Sequence, residues 1–200
     1  LVLPGMMEDE ARQRAVDELP QSGAGKTVMT TEPKFIPAEA AAIDVKEGLS
    51  ARVRLVDCVG YGVPVALGFQ EEDIPRMVNT PWFEEAIPFQ EAAEIGTKKV
   101  ISDHSTVGIV VTADASITGI ERADYAEAEG RVVSELKELG KPFLLIYNTV
   151  EPASEATLAE CERLHEEYDA FVLPLNVAKM EQPEVLQVLQ ELLFEFPVSE

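Results

Sequence analysis

Positively charged side chains are scarce in this 200-residue chain, which has 16 Lys and Arg residues against 37 Asp and Glu residues. The resulting net charge of −21 disfavours nucleic acid and anionic lipid as direct partners, because both carry negative charge and would be repelled. There are only two cysteines, Cys58 and Cys161, and they lack metal-site spacing, which indicates a reduced, intracellular protein. No apolar run approaches the roughly 20 residues of a membrane span.

The chain also lacks the usual beginning of a complete gene product. Its first residues, LVLPGMMEDE, contain neither a basic segment nor a long apolar core, so they do not form a signal peptide. They do not start with methionine either. We therefore expect the chain to begin inside a longer protein.

A complete phosphate-binding loop, G-x-x-x-x-G-K-[ST], is absent as well. Gly25-Lys26-Thr27 has the ending of the motif, but Pro20 stands where the first glycine is required. The residues before this tripeptide are polar and those after it are β-branched, whereas a true phosphate loop joins a buried strand to a helix. The tripeptide is therefore interpreted as an ordinary loop that leads to Thr30 and Thr31.

Apolar runs and amphipathic stretches alternate through the last two thirds of the chain. The predicted strands are residues 51–57, 107–111, 142–148 and 170–175. Continuous apolar runs are typical of strands that are covered on both faces, as in parallel sheets. The pattern predicts one α/β domain with a mostly parallel sheet and helices on both faces, in which ligands bind beyond the carboxyl ends of the strands.

Three segments of this domain differ in character. Residues 1–34 are predicted to form a charged helix and a switch-like loop, and residues 89–200 carry the strand–helix alternation. Between them, residues 61–88 contain several prolines and no clear periodicity, which indicates a long irregular insertion. Long loops in compact domains are often functional.

The predicted strand 51–57 ends at Asp57, and Gly60 follows three residues later. This D-x-x-G arrangement is typical of nucleotide switches: the carboxylate holds a water on Mg²⁺, and the glycine N–H can reach a γ-phosphate because no side chain blocks it. The alternative is a plain turn at the end of a strand. Upstream, Thr30 and Thr31 are placed to coordinate Mg²⁺ and to position the attacking water from a mobile loop.

A second candidate site follows the later strands. Asn148-Thr149-Val150-Glu151 stands where GTPases carry N-K-x-D, with threonine for the lysine and glutamate for the aspartate. Guanine recognition is therefore disfavoured, although nucleotide binding is not. Asn176 follows the last strand, where a further loop that contacts the base would lie.

Four long blocks of the sequence identify a family: DELPQSGAGKTVMTTEPKF, VRLVDCVGY, MVNTPWFEEAIPFQEAAEIGTKKVISDHSTVGIVVT and ELLFEFPV. Together they resemble the N-terminal ATPase domain of the stage IV sporulation protein A family, over essentially the whole chain. The resemblance implies a fold related to translation-factor GTPases and P-loop NTPases, with ATP and Mg²⁺ as ligands. By motif, Thr30 and Thr31 resemble the family's sensor threonines, and Asp57 resembles its Walker B aspartate, with Gly60 beside it.

The resemblance also implies a biological role. ATP hydrolysis would drive self-assembly into a static polymer, the basement layer of the spore coat on the forespore surface in the mother-cell cytoplasm. The implied partners are the protein itself, a small amphipathic membrane-bound sporulation protein and other coat proteins. Two alternatives stay open, namely a GTPase-type switch and a non-catalytic assembly module.

One departure from the family has a structural consequence. The family's first strand and phosphate loop are absent, so this fragment by itself is expected to be inactive. In related folds that strand lies between the strand that ends at Asp57 and the strand 107–111. We therefore predict a gap or poorly packed groove between these two strands, or their direct pairing.

Overall fold

A computed structural model describes residues 34–46, 49–63, 70–71, 74–80 and 83–196. The first two described segments form an antiparallel hairpin of β1 (Lys34–Lys46) and β2 (Leu49–Asp57). The predicted strand 51–57 is therefore confirmed. It does not belong to a parallel sheet, however, because its hydrogen-bonded neighbour within the described residues is the antiparallel β1.

The span 61–88 contains short paired strands. In its described parts, β3 (Gln70–Glu71) pairs with β4 (Ile74–Pro75), and β5 (Met77–Val78) pairs with β6 (Ile87–Pro88), both antiparallel. Each of these strands has two residues. The second pair leads directly into the first described helix.

The remaining strands form a parallel sheet in the order β7-β8-β9, with bounds β7 Gly108–Ala113, β8 Phe143–Asn148 and β9 Val172–Leu175. The helices of the described residues are α1 (Phe89–Lys99), α2 (Ala115–Thr118), α3 (Arg122–Glu138), α4 (Glu155–Tyr168) and α5 (Gln182–Phe194). A π-helical turn, Val100–His104, continues α1, and a 3₁₀ turn, Val177–Lys179, precedes α5. None of these helices is long and apolar enough to cross a bilayer.

Helices cover both faces of the parallel sheet, as predicted. Successive side chains of a strand point to opposite faces, so β8 contributes to a core on each side. Leu145 packs with Leu136 of α3 on one face, while Leu144 packs with Leu192 of α5 on the other. This two-sided cover explains why the run FLLIY of β8 is buried throughout.

Strand β7 departs from this expectation. Its run VGIVV predicts burial on both faces, yet Ile109 is 38% exposed and Val111 is 57% exposed. Both residues line a groove beside the edge of β7 that is not paired with β8. The sequence indicated that these side chains favour burial, but within the described residues no strand or helix covers them.

Of the predicted alternatives, direct pairing of β2 and β7 is not seen within the described residues. Both strands instead line one cavity of about 530 Å³. We call it the interstrand groove; residues 51–57 and 107–111 line its walls, and Leu136 and Leu189 are among the helix residues that line it. The hairpin meets the rest of the domain through α5, where Leu189 packs with Ile43 and Val45.

Candidate functional site

Asp57 lies at the end of β2 and lines the interstrand groove. It is an exposed residue, but partial desolvation of its carboxyl group raises the pKa, and a hydrogen bond from the Cys58 backbone opposes this. The ionised form is therefore less favoured here than in water, and a cation beside the carboxylate would offset that cost. Asp57 therefore lies at a cavity, and its role there stays a prediction.

Gly60 lies three residues beyond Asp57 in the sequence, and α1 holds it in place. Its N–H donates a hydrogen bond to Oγ1 of Thr97 in α1 at 3.0 Å. Its φ of +84° lies in the left-handed region that favours glycine, and a Cβ at this position would have no atom within 4 Å. The glycine is thus required for its backbone conformation, and the space around its Cα is open.

Tyr61 anchors the loop immediately after Gly60. Its ring is buried, its hydroxyl donates a hydrogen bond to Oε1 of Glu135 in α3, and the guanidinium of Arg131 lies 3.9 Å from the ring centroid. Arg131 in turn pairs with Glu94 of α1 at 2.9 Å. Burial and the neighbouring Glu135 raise the pKa of Tyr61, so the phenol stays protonated and donating.

Sequence reasoning missed the roles of Thr97 and Tyr61. A signal for Thr97 was present, because it is a polar residue on the otherwise apolar buried side of α1, next to Gly96 and one turn beyond Ala93. Its partner is 37 residues away in the sequence, however, so no local pattern predicts the contact.

A second polar cluster lies at the carboxyl end of the parallel sheet. The side-chain oxygen of Asn148 accepts a hydrogen bond from the N–H of Val177 at 3.0 Å and so connects the loops after β8 and β9. Nearby, Oγ of Ser116 accepts from the N–H of Val150 at 3.2 Å. Asn176 has a buried side-chain oxygen without a hydrogen-bond partner in the described part of the chain.

Asp114, at the end of β7, belongs to this second cluster. Its carboxylate accepts from the backbone N–H of Ser116 at 2.9 Å. Burial raises its pKa, but the hydrogen bonds from Ser116 and Thr149 together lower it below the ordinary value of 3.8. The end of β7 therefore presents a carboxylate that is fixed by hydrogen bonds.

The predicted site residues that the structure describes thus fall into two groups. Asp57 and Gly60 lie together at the interstrand groove, whereas Asn148 and Asn176 lie together at the carboxyl end of the parallel sheet. Thr30 and Thr31 lie outside the described residues. Their roles, like those of the other four, stay predictions.

The described residues contain no group of three or more His, Cys, Asp or Glu side chains that could hold a metal ion. Asp57 alone still fits Mg²⁺, because this ion is commonly held by one or two carboxylates together with substrate phosphates and water. The open space at Gly60 suits the approach of a phosphate in the same way, since no Cβ occupies it.

Comparison with known proteins agrees with the resemblance. A family model described as "Stage IV sporulation protein A, ATPase domain" matches residues 1–197. The chain belongs to this family.

Relatives in the family are similar along the whole chain. The chain is 57% identical to stage IV sporulation protein A of Bacillus anthracis, 56% to that of Bacillus subtilis (strain 168) and 51% to that of Clostridioides difficile (strain 630). Each alignment covers 100% of this chain but 41% of the relative, so the chain spans about two fifths of their length. No solved structure matches the chain significantly.

Proposed function

We propose that this chain is part of an ATPase and that Asp57 and Gly60 act at the phosphate end of its nucleotide site. The main support is the position of Asp57, which ends β2 on the wall of the interstrand groove, with Gly60 three residues beyond it and open space beside the Gly60 Cα. Membership of an ATPase-domain family supports the same activity.

In this proposal Asp57 would hold a water on Mg²⁺, and the N–H of Gly60 would donate to the γ-phosphate. Mg²⁺, when bound, would neutralise charge that develops on the phosphate oxygens. Thr30 and Thr31 precede β1 in the sequence; one hydroxyl would serve as metal ligand and one carbonyl would position the attacking water. The raised pKa of Asp57 is consistent with a carboxyl group whose charged form is completed by a cation.

The fold proposed for the whole domain is that of a P-loop NTPase related to translation-factor GTPases. The interstrand groove would receive one further strand, which carries the phosphate-binding loop and comes from the part of the longer protein that precedes this chain. Support comes from the edges of β2 and β7, which are unpaired within the described residues, and from Leu55, Ile109 and Val111, which are large apolar side chains left exposed on these strands. Without that strand this fragment would not hydrolyse ATP.

The nucleotide base is proposed to lie at the second cluster, with Asn148 and Asn176. Asn148 connects the two loops that would contact the base, and the unpartnered side-chain oxygen of Asn176 can accept a hydrogen bond. ATP is favoured over GTP because Thr149 and Glu151 replace the lysine and aspartate with which GTPases read guanine. Comparing ATP and GTP turnover in the full-length protein separates the two.

The wider role is proposed from the family. Hydrolysis would drive self-assembly into a static polymer, which forms the basement layer of the spore coat on the forespore surface in the mother cell. Recruitment by a small amphipathic membrane-bound protein and contacts with other coat proteins complete this proposal. The relatives' name, stage IV sporulation protein A, supports a sporulation role.

The test uses the full-length protein with Asp57→Asn, which removes the charge and keeps the shape. We expect ATP hydrolysis to fall roughly a hundredfold, because losing about 2.7 kcal/mol of transition-state stabilisation has that effect. Asp103→Asn is the matched control, since Asp103 is an exposed aspartate that does not line the interstrand groove.

Two more expected results, and two results that would contradict the proposal, complete the test. Thr30→Ala/Thr31→Ala is expected to slow hydrolysis, and sedimentation should show less polymer for every variant that hydrolyses ATP poorly. Normal hydrolysis by Asp57→Asn would remove Asp57 from the mechanism. Equal polymer formation without nucleotide would instead favour the non-catalytic assembly module.

A further inference from the structure

Thr97 is a buried polar residue beside the loop formed by residues 57–60. It lies near the end of α1 and is 1% exposed, so its hydroxyl cannot be satisfied by bulk water. Buried hydroxyl groups nearly always have hydrogen-bond partners. Here the partner is the backbone N–H of Gly60, at 3.0 Å, in the loop that follows Asp57.

We propose that Thr97 is a positioning residue for the hydrolysis, whose hydroxyl holds the Gly60 N–H in the nucleotide-free protein and competes for it with the γ-phosphate. This inference rests on the proposed function at Asp57 and Gly60. It goes beyond that function because it names the group that the phosphate must displace. An amide N–H makes one good hydrogen bond at a time, so the two acceptors exclude each other.

The neighbouring residues limit how far the loop moves when this exchange occurs. On one side Asp57 belongs to the ladder of β2 with β1. On the other side Tyr61 is buried, bonded to Glu135 and covered by Arg131. Releasing the Gly60 N–H therefore reorients residues 58–60 and leaves both ends of the loop fixed.

The conformation of Gly60 suits such a pivot. At a φ of +84° a side chain would be strained, but glycine adopts this region and its mirror image about equally well. Apart from the neighbouring residues in the chain, no atom lies within 4 Å of where a Cβ would be, so the space beside the Gly60 Cα is open.

The experiment measures ATP hydrolysis by the full-length protein with Thr97→Val, which keeps the shape and removes the hydroxyl. We expect the KM for ATP to fall about fivefold, the effect of removing one competing hydrogen bond, with kcat changed less than KM. Hydrogen exchange of the peptide that contains Gly60 should be faster than in the parent without nucleotide. With a non-hydrolysable ATP analogue bound, the two proteins should exchange alike.

Thr97→Ser is the conservative variant and should restore the parental KM, because it keeps the hydroxyl. Thr112→Val is the matched control, a buried threonine whose hydroxyl has no hydrogen-bond partner in the described residues, and it should leave KM unchanged. If Thr97→Val does not fold, Thr97→Ala gives the same comparison. A purely structural role of Thr97 would lower stability and kcat without lowering KM.

Two results would overturn the proposal, and they differ from a failure of the proposed function. An unchanged or higher KM in Thr97→Val, with Asp57→Asn inactive, refutes the competition while the ATPase site stands. Equal exchange of the Gly60 peptide in parent and Thr97→Val without nucleotide also refutes it. Full activity of Asp57→Asn refutes the proposed site itself.

Discussion

Among the ion pairs of the described residues, the pair formed by Arg122 and Glu129 should destabilise the protein most when one partner is removed. Glu129 is 4% exposed, and its Oε1 lies 2.8 Å from an Arg122 guanidinium nitrogen. Arg122 also contacts Glu160 at 3.0 Å. Replacing Arg122 by methionine keeps much of the packing but leaves a buried carboxylate without its cation.

Breaking a buried ion pair by removing one partner costs about 3–5 kcal/mol. The side chain of Arg122 is 19% exposed, so water reaches part of it, and we expect about 3 kcal/mol for Arg122→Met. For a domain of this size that loss lowers the melting temperature by roughly 6–12 °C. The assay is urea unfolding followed by circular dichroism, with thermal unfolding as a second measure.

The double variant Arg122→Met/Glu129→Gln separates the lost cation from the lost packing. It removes the buried charge that Arg122→Met leaves without a cation, so it should recover all but about 1 kcal/mol. Arg163→Met, at an arginine whose side chain is 53% exposed, is the surface control and should cost under about 1 kcal/mol. A double variant no more stable than Arg122→Met would refute the reasoning.

Further predictions concern single contacts. Gly108→Ala would place a Cβ 3.0 Å from the Leu136 side chain. This crowding should lower the free energy of unfolding in urea by about 1–3 kcal/mol, and an unchanged midpoint would contradict it. Lys141→Met removes the ammonium group that binds backbone carbonyls at the end of the turn Val100–His104. The loss should lower the free energy of unfolding by about 2–3 kcal/mol and speed amide exchange in this turn. Unaltered exchange would count against the contact. Because the pKa of Asp114 is lowered on folding, its contribution to stability is present above pH 3.8 and is lost as pH falls through the lower folded value. Asp114→Asn should therefore reduce the loss of stability between pH 4 and pH 2, as measured by unfolding at several pH values, and an identical acid profile would exclude this role.

The sequence predicted the parallel sheet better than the environment of its strands. The apolar runs of β7 and β8 are alike, and both form strands. Helices cover β8 on both faces, whereas Val111 of β7 is largely exposed. Apolar composition indicates that a strand favours burial, but it does not say which segment covers it.

The candidate site likewise has a part that the sequence predicts and a part that it does not. The D-x-x-G pattern at the end of a strand was sufficient to locate Asp57 and Gly60, because it depends on neighbours in the sequence. The partners of the loop, Thr97 and Glu135, come from helices 37 and 74 residues away from the residues that they contact. Contacts of this range depend on how helices pack, which short motifs do not encode.

Helix α5 supports two structures at once. Leu189 packs with the hairpin, and Val188 and Leu192 pack with the parallel sheet, yet these two sheets share no backbone ladder in the part of the chain that is described. A ladder fixes register bond by bond, whereas side chains on a helix surface can slide or change rotamer at small cost. The position of the hairpin relative to the parallel sheet therefore depends on contacts with α5, which include a 3.0 Å hydrogen bond from Nε2 of Gln190 to the carbonyl of Val45.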